Sequence, residues 1–340
     1  MMVYTTIKIS IYYIAFKTNK TNMGIKDFSK VFPPTSKYTD LAEFKGSTFA
    51  VDAMIMIFKY SLAGGKVALL TNAANEPTLV YNGILSFVCN LKKQGIKQIW
   101  VFDSVMGSVY KDKAYKERTA RKDNAMKELE DLYAQTENKD EVRIDQLEKV
   151  TFKLGKNVIA NIKFILNKLK IRWIECGPNI EAEHMCAELT RQKIADYAYT
   201  ADTDAIIFGA VKTVRMKDER EGNKTKKMYY VYELKDLLKK HSLTKLQLAQ
   251  AAIALGCDFV EKVKGVGPAS VITKVLSGNI VYTDHQKEII NMFLAPVEVP
   301  KINKSEVRDV DGLVDWFVNA MQFKRDRVKD MINKAFVTAD

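Results

Sequence analysis

The sequence contains few of the residues on which many metal and redox sites depend. It has only four cysteines, which form neither a CxxC pair nor a zinc-type Cys/His spacing: Cys89, Cys176, Cys186 and Cys257. A disulfide framework is therefore not expected, and a reducing compartment suits the chain better. Only three histidines occur, so we do not expect a histidine-based metal site. Acid or metal chemistry must then rest on carboxylates.

Long apolar runs are also missing. Residues 1–22 carry three lysines and no acid, and their apolar run Ile9–Phe16 is far short of the ~20 residues of a membrane-spanning helix. The segment lacks both arginine and a small-residue cleavage site, unlike transit and signal peptides. We expect no membrane span here or later. We interpret residues 1–22 as an extension that is flexible, or not native if translation starts at Met23.

The charge balance is strongly basic. The 340 residues carry a formal net charge of +12, which favours a polyanionic partner, either nucleic acid or anionic lipid. With 47% hydrophobic and 28% charged residues, the chain has the composition of a globular protein with a substantial core. The length predicts about two domains or one large α/β unit.

Strand-like and helix-like segments alternate along the chain. The predicted strands are Ser47–Asp52, Lys97–Asp103, Ile171–Glu175 and Asp196–Asp204. Such alternation predicts an α/β fold whose central, mostly parallel sheet is flanked by helices. Arg215–Lys227 is predicted to be a charged hairpin loop before a further strand, and residues 291–304 are predicted to link to a helical C-terminal part.

Acidic residues recur where predicted strands end or helices begin, and one of them, Asp258, sits just past the predicted helix that ends at Leu255. They are Asp52, Asp103, Glu181, Glu183, Asp202, Asp204 and Asp258. In open α/β sheets, ligands bind in the crevice beyond the carboxyl ends of the strands. Asp202 and Asp204 would point to one side of an extended segment. Glu181 and Glu183 can reach one site if a helix starts between them.

Each of these acids alone could be an ordinary turn or capping residue. Seven carboxylates in one crevice would repel each other strongly unless cations were present. An all-oxygen site suits Mg²⁺ or Mn²⁺ rather than Zn²⁺, and two such ions can catalyse phosphodiester cleavage. The combination of a basic protein and an acidic pocket therefore indicates a nuclease.

Two further segments have basic or glycine-rich patterns. Lys111–Lys122 contains six basic and two acidic residues. It could be a solvated helix with ion pairs, or a phosphate-contacting helix with Lys111 and Arg118 on nearly one face. The run from Gly265 to Pro268 is similar to the hairpin of a helix–hairpin–helix. Such a hairpin contacts phosphates without reading bases.

Several short motifs together carry a family resemblance. They are Met23-Gly24-Ile25, AVDA at 50–53, VFD at 101–103, EAE at 181–183, TADTD at 200–204 and LGCDFVEKVKGVGP at 255–268. In this order and spacing, the chain resembles flap endonucleases of the XPG family from residue 23 to about 335. The resemblance implies a PIN-like nuclease fold with a helical arch and a helix–two-turn–helix element for duplex DNA. It also implies Mg²⁺-dependent 5′ flap endonuclease and 5′→3′ exonuclease activity on branched DNA in replication and repair, producing 5′-phosphates.

The resemblance also assigns roles to individual residues. One metal region would be formed by Asp52, Asp103, Glu181 and Glu183, and the second by Asp202, Asp204 and Asp258. These would hold two Mg²⁺, for which Mn²⁺ can substitute. The implied catalytic residues are Lys111, Arg118 and Asp204. The implied DNA-binding residues are Gly24, Phe58, Lys111, Arg118, Arg121, Gly265 and Gly267. Phe58 would stack on a base or, alternatively, belong to the core, and the loop Gly265–Gly267 would hold K⁺ against a phosphate.

The implied organisation is a nuclease region at 23–130, with its arch at about 106–140. An internal nuclease region with the helix–hairpin–helix follows at 141–290, and a helical C-terminal part at 291–340. Because 22 residues precede Met23, the resemblance leaves open either which codon starts translation or which path the 5′ end of the DNA takes. The C-terminal AFVTAD lacks the box for a sliding clamp, so clamp binding is not expected.

We expect a monomer in the nucleus, or in the host nucleus if the gene is viral, with the cytoplasm as the alternative. Two other functions stay open. The chain could be an XPG-family relative with another substrate, such as a bubble-cutting endonuclease, a recombination exonuclease or an exoribonuclease. It could also be a non-catalytic nucleic-acid-binding scaffold. The short interval between Asp103 and Glu181 argues against the bubble-cutting type, and the seven acids argue against the scaffold.

Overall fold

The structure is a computed structural model. It describes residues 24–62, 71–73, 76–104, 111–135, 140–221 and 224–336, to which all structural statements refer. The expected N-terminal extension (residues 1–22) and two parts of the expected arch (106–110 and 136–139) lie outside these ranges.

A single six-stranded sheet forms the centre of the molecule. Its strands are β1 (Thr48–Asp52), β2 (Lys97–Phe102), β3 (Arg172–Glu175), β4 (Tyr197–Tyr199), β5 (Lys212–Glu221) and β6 (Lys224–Glu233). The spatial order is β3-β2-β1-β4-β5-β6. All neighbours pair in parallel except β5 and β6, which are antiparallel. The predicted mostly parallel sheet is confirmed.

Helices connect the strands, and most of them pack against one face of the sheet or the other. They are α1 (Phe28–Val31), α2 (Ala53–Ser61), α3 (Leu79–Lys93), α4 (Asp112–Ala134), α5 (Glu141–Thr151), α6 (Val158–Lys168), α7 (Ala182–Arg191), α8 (Asp204–Ile207), α9 (Leu234–His241), α10 (Lys245–Leu255), α11 (Val271–Leu276), α12 (Asp284–Leu294), α13 (Val310–Asn319) and α14 (Arg325–Phe336). A short 3₁₀ helix, Leu41–Phe44, precedes β1. None of the helices among the described residues has the length and apolar character needed to cross a membrane.

Two apolar cores lie on opposite faces of the sheet, because successive strand residues point to opposite sides. Ala50 belongs to the first core, together with α7, α10, α11 and α12. Its neighbours Phe49 and Val51 belong to the second, together with α2, α3, α6, α13 and α14. All three side chains are fully buried. Burial on both faces explains why the parallel strands read as continuous apolar runs.

The strand order brings distant acids to one edge. β1 lies between β2 and β4, so the carboxyl ends of these three parallel strands are adjacent. β1 ends at Asp52, and the Asp52 carboxylate accepts a hydrogen bond from the Ile55 amide at 3.2 Å, capping α2. The residues after β2 and β4 emerge beside this cap.

Two strand predictions are corrected. The predicted strand Asp196–Asp204 is too long: β4 ends at Tyr199, and Asp204 begins helix α8. The predicted loop Arg215–Lys227 is wrong, because those residues lie mostly in β5 and β6. The pairs Asp218–Lys227 and Glu219–Lys226 face each other across the hairpin. Opposite charges on facing strands stabilise such a pairing, so a high charge content does not exclude strands here.

The predicted linker at residues 291–304 is also partly wrong. Helix α12 continues to Leu294, and Phe293 is fully buried in the first core. Burial of this ring extends the helix past the predicted boundary. The irregular segment starts at Ala295 and leads to α13. The proposed domain boundaries remain predictions.

Candidate active site

Three carboxylates converge in the interior beyond the carboxyl ends of the strands. One oxygen from each of Glu183, Asp202 and Asp204 lies within 4.8 Å of the other two. All three side chains are at most 2% exposed. Asp52 and Asp103 lie near enough to this group that the charge of Glu183, after burial, raises the pKa of both carboxyls.

Asp202 and Asp204 are held by the turn between β4 and α8. The amide of Asp204 donates to Asp202 Oδ1 at 2.9 Å, and the amide of Asp202 donates to the hydroxyl of Thr200 at 3.1 Å. The Thr200 hydroxyl in turn donates to Asp52 Oδ2 at 2.9 Å. A tight turn, rather than an extended strand, therefore brings both aspartates to the site and links them to β1.

Glu181 and Glu183 reach the site from the start of α7. Asp103, just beyond β2, accepts a hydrogen bond from the Ala182 amide at 2.6 Å and so binds the first residue of this helix. Glu181 occupies the N-cap position and Glu183 the first turn. Both are almost completely buried. The helix starts between the two glutamates, as expected, and their binding of one metal ion stays a prediction.

The N-cap residue of the long helix α4, Lys111, and Arg118 within this helix place two cations against these acids. Lys111 Nζ lies 2.5 Å from Glu181 Oε2 and 3.3 Å from Glu183 Oε1. Seven residues further on, the Arg118 guanidinium forms an ion pair with the Asp258 carboxylate. The Lys111 side chain is fully buried, and its ammonium lies 4.7 Å from the ring centroid of Phe259. The helix therefore spans both predicted metal regions.

Burial and mutual repulsion perturb the acids strongly. Burial, followed by the charge of Glu183, raises the pKa of Asp52 from 3.8 to about 8. Burial and the charge of Asp202 raise the pKa of Asp204 well above its usual range. Burial alone would lower the pKa of Lys111, but Glu181 and Glu183 outweigh it and raise that pKa. The pocket is thus short of positive charge.

The donor set fits a hard divalent cation. Both carboxylate oxygens of Asp204 are buried and accept no hydrogen bond from the described residues. Leaving such oxygens without a partner is costly, whereas Mg²⁺ and Mn²⁺ bind oxygen ligands of this kind. Glu183, Asp202 and Asp204 are the residues that could hold such an ion together.

Gly24 packs directly against this group. Its φ is +77°, and a Cβ built on it would overlap Asp202 Oδ1, Asp204 Oδ1 and Thr203 Oγ1. The next amide, that of Ile25, donates to the Thr203 hydroxyl at 3.0 Å. Only a glycine allows the backbone to approach the aspartates this closely. The structure therefore places Gly24 at the acidic group, while its predicted contact with DNA stays a prediction.

The other predicted DNA-binding residues lie in different environments. Phe58 is fully buried in the second core, as the core alternative expects, and its stacking on a base stays a prediction. Arg121 is exposed on α4. Gly265 and Gly267 lie in the surface loop that precedes α11. The DNA contacts of Arg121 and of the two glycines stay predictions.

Some site residues were missed by sequence reasoning. The Arg215 guanidinium donates to the Ala201 carbonyl at 2.6 Å and partly offsets the raised pKa of Asp202. The segment that contains Arg215 is predicted to be a loop, so no sequence signal indicates that Arg215 belongs to the site. Thr200, by contrast, is part of the TADTD motif, and a hydroxyl two residues before Asp202 could have been read as its backbone partner.

The fold and this carboxylate group define a metal-dependent nuclease. The model of the XPG N-terminal domain matches residues 23–125, and that of the XPG I-region matches residues 170–258. The two regions together make up more than half of the chain and include all seven acids. The chain belongs to the XPG family.

Curated relatives agree with this assignment over nearly the whole chain. Flap endonuclease 1 of Trypanosoma cruzi is 29% identical over 334 residues, which cover 90% of this chain and 83% of that protein. Flap endonuclease 1 of Methanococcus aeolicus is 28% identical over 326 residues, which cover 92% of this chain and 94% of that protein.

Solved structures share the fold. Flap endonuclease-1 from Methanococcus jannaschii superposes with a TM-score of 0.67 at 24% identity, covering 92% of this chain and 98% of that one. The catalytic core of Rad2 in complex with DNA substrate superposes with a TM-score of 0.68 at 20% identity, covering 92% and 100%.

Proposed function

We propose that this protein is a structure-specific 5′ flap endonuclease with 5′→3′ exonuclease activity, acting on branched DNA in replication and repair. The observation that carries the proposal is the buried convergence of Glu183, Asp202 and Asp204 in a chain whose curated relatives are flap endonucleases. We propose two Mg²⁺ as cofactors, replaceable by Mn²⁺.

The acids divide into the two sets implied by the family resemblance. The proposed ligands of one ion are Asp52, Asp103, Glu181 and Glu183, and those of the other are Asp202, Asp204 and Asp258. Divalent ions bound there supply Lewis-acid assistance to phosphodiester hydrolysis. Hydrogen bonds from Thr200 and from the Ala182 amide fix the orientations of Asp52 and Asp103. Gly24 leaves Asp202 and Asp204 the space they need.

Lys111 and Arg118 are proposed to bind the scissile phosphate. Both already point into the acidic pocket, so a phosphate entering it meets an ammonium and a guanidinium from one helix. Arg118 can bind two phosphate oxygens at once, and Lys111 acts as a compact positive charge. Both cations would neutralise the charge that develops on the phosphate.

The direct test is cleavage of a 5′-flap duplex in Mg²⁺, in EDTA and by Asp204→Ala. We expect products with a 5′-phosphate and a 3′-hydroxyl only from the unchanged protein in Mg²⁺. Asp330→Ala, which removes an exposed acid from α14, should cleave normally. Equal cleavage under all conditions would overturn the mechanism.

The alternatives are separated by substrate and by metal binding. Flap, bubble, nicked and RNA substrates compared side by side identify the preferred one, and we expect the flap to be cut fastest. Calorimetry should detect bound Mn²⁺. Its absence would favour the scaffold. Binding should weaken steeply with salt, because phosphate contacts release counterions.

Nuclear localisation and a monomeric state are also proposed. The DNA substrate supports the first, and fluorescence microscopy of a tagged chain tests it, with cytoplasmic signal as the contrary outcome. Light scattering of the purified protein tests the second.

A further inference from the structure

In the loop from Gly265 to Gly267, the glycine carbonyl oxygens that a monovalent cation would need already accept hydrogen bonds. Potassium is bound by groups of backbone carbonyl oxygens. The Gly265 carbonyl accepts a hydrogen bond from Lys274 Nζ at 2.9 Å. The Gly267 carbonyl accepts bonds from the amides of Ser270 and Val271, both at 3.0 Å. The two glycines predicted to hold K⁺ therefore do not fit it well.

The surroundings of the loop add a second obstacle to a bound cation. Lys262 and Lys264 are both exposed on the chain leading into Gly265. With Lys274, they make three positive charges around one short loop, against the single exposed acid Glu261 on the same stretch. A further cation would be repelled by all three, whereas a phosphate would be attracted.

The position of Lys274 is fixed by the same packing that holds the loop. Val266 is buried in the first core, as are Val271 and Val275 of α11, the helix that carries Lys274. The amide of Val263 donates to the Ala254 carbonyl at 3.0 Å and ties the loop to α10. The hydrogen bond from the Lys274 ammonium to the Gly265 carbonyl is therefore part of the packed structure of the loop.

We propose that the Lys274 ammonium takes the place of K⁺ in this loop and contacts a DNA phosphate directly. The inference rests on the proposed function, because it concerns how the nuclease holds duplex DNA. An ammonium has three N–H donors. One binds the Gly265 carbonyl, and the other two can donate to phosphate oxygens. DNA binding by this protein then depends on Lys274 and not on which monovalent cation is present.

The test compares DNA affinity in three salts of equal ionic strength: KCl, NaCl and tetramethylammonium chloride, whose cation is too bulky to enter a carbonyl loop. Fluorescence anisotropy of a labelled flap duplex is measured with Ca²⁺ in place of Mg²⁺ to suppress cleavage. The unchanged protein should bind equally in all three salts. Affinity that falls when K⁺ is replaced by tetramethylammonium would overturn the proposal without any variant.

Lys274→Met tests the residue itself. An exposed charge contact of about 1 kcal/mol corresponds to a roughly fivefold loss of affinity, and the slope of log affinity against log salt should decrease by about one. The matched control is Lys329→Met on α14, which belongs to the core on the opposite face of the sheet. The control should bind normally. Equal affinity and slope for Lys274→Met and the unchanged protein would contradict the proposal.

Failure of this inference differs from failure of the proposed function. If the protein binds and cuts flap DNA but requires K⁺, only the role of Lys274 is wrong. If it neither binds the flap duplex nor cuts it in Mg²⁺, the proposed function is wrong and Lys274 has no phosphate to contact.

Discussion

Lys111 Nζ lies 2.5 Å from Glu181 Oε2, and the side chains are 0% and 6% exposed. This pair joins helix α4 to the acids at the start of α7. A buried ion pair stabilises only when both partners remain, because loss of one leaves an uncompensated charge. Lys111 is therefore the counter-ion of the acids as long as no metal is bound.

The first prediction concerns this counter-ion. In EDTA, Lys111→Met should lower the free energy of unfolding by about 3–5 kcal/mol, the cost of breaking a buried pair. Mn²⁺ should restore much of that loss, because the ion neutralises the same carboxylates. Urea unfolding with EDTA and with Mn²⁺ measures both effects.

The control for this change is Lys122→Met on the same helix. Lys122 is also buried, but its ammonium donates to the Phe152 carbonyl at 3.1 Å rather than to an acid. Its substitution should destabilise equally with and without Mn²⁺. A loss in Lys111→Met that Mn²⁺ leaves unchanged would contradict the role of Lys111 as a counter-ion.

The second prediction concerns Gly24. Gly24→Ala should weaken Mn²⁺ binding and cleavage, because the new methyl group would displace the carboxylates of Asp202 and Asp204. We expect a loss above the roughly 10–100-fold that removal of an outer partner of a metal ligand causes. Gly46→Ala is the matched control: its φ is +84°, yet nothing lies within 4 Å of the added Cβ. Both variants carry a backbone penalty of about 1–2 kcal/mol, and equal metal affinity in the two would refute the steric argument.

The third prediction concerns pH. The pKa of Asp52 is raised from 3.8 to about 8 in the folded protein, so the folded state binds more protons than the unfolded state between these values. In EDTA, the contribution of Asp52 to the free energy of unfolding is then greatest below pH ~4 and is lost as the pH rises toward ~8. Chemical unfolding across that range should show a smaller decline for Asp52→Asn and for the Mg²⁺-loaded protein. A decline of equal size in all three would be contrary to this linkage.

The fourth prediction concerns Phe58. Because this side chain is fully buried in the second core, Phe58→Ala should cost about 3–5 kcal/mol of stability. Phe58→Leu keeps most of the apolar volume and should keep the KM for flap DNA. A raised KM in a stably folded Phe58→Leu would indicate a contact with the substrate after all.

Sequence patterns predicted the parallel strands well, because burial on both faces leaves continuous apolar runs such as that in β1. They also pointed to Glu183, Asp202 and Asp204, which the structure brings together, because these acids follow a strand or begin a helix. The sequence patterns failed where the local composition suggests one structure and the packing in the folded protein produces another. β5 and β6 are rich in charge, and their pairing is decided by facing residues such as Glu219 and Lys226.

The arrangement of Asp202 and Asp204 was predicted from the wrong geometry. An extended segment and a tight turn can both bring residues two apart to one side, and only the hydrogen bonds to Thr200 and Asp202 distinguish them. The position of Phe58 matches a family pattern, but its burial depends on packing against helices far away in the sequence.

The acids of the site come from positions as distant as Asp52 and Asp258. Strand β4 completes the central strand arrangement, and it follows β2 by nearly a hundred positions. During synthesis on the ribosome, the first two strands emerge long before the last ligands. A chain terminated early, for instance by a premature stop codon, lacks part of the acid set. We therefore expect such a truncated product to cleave no DNA.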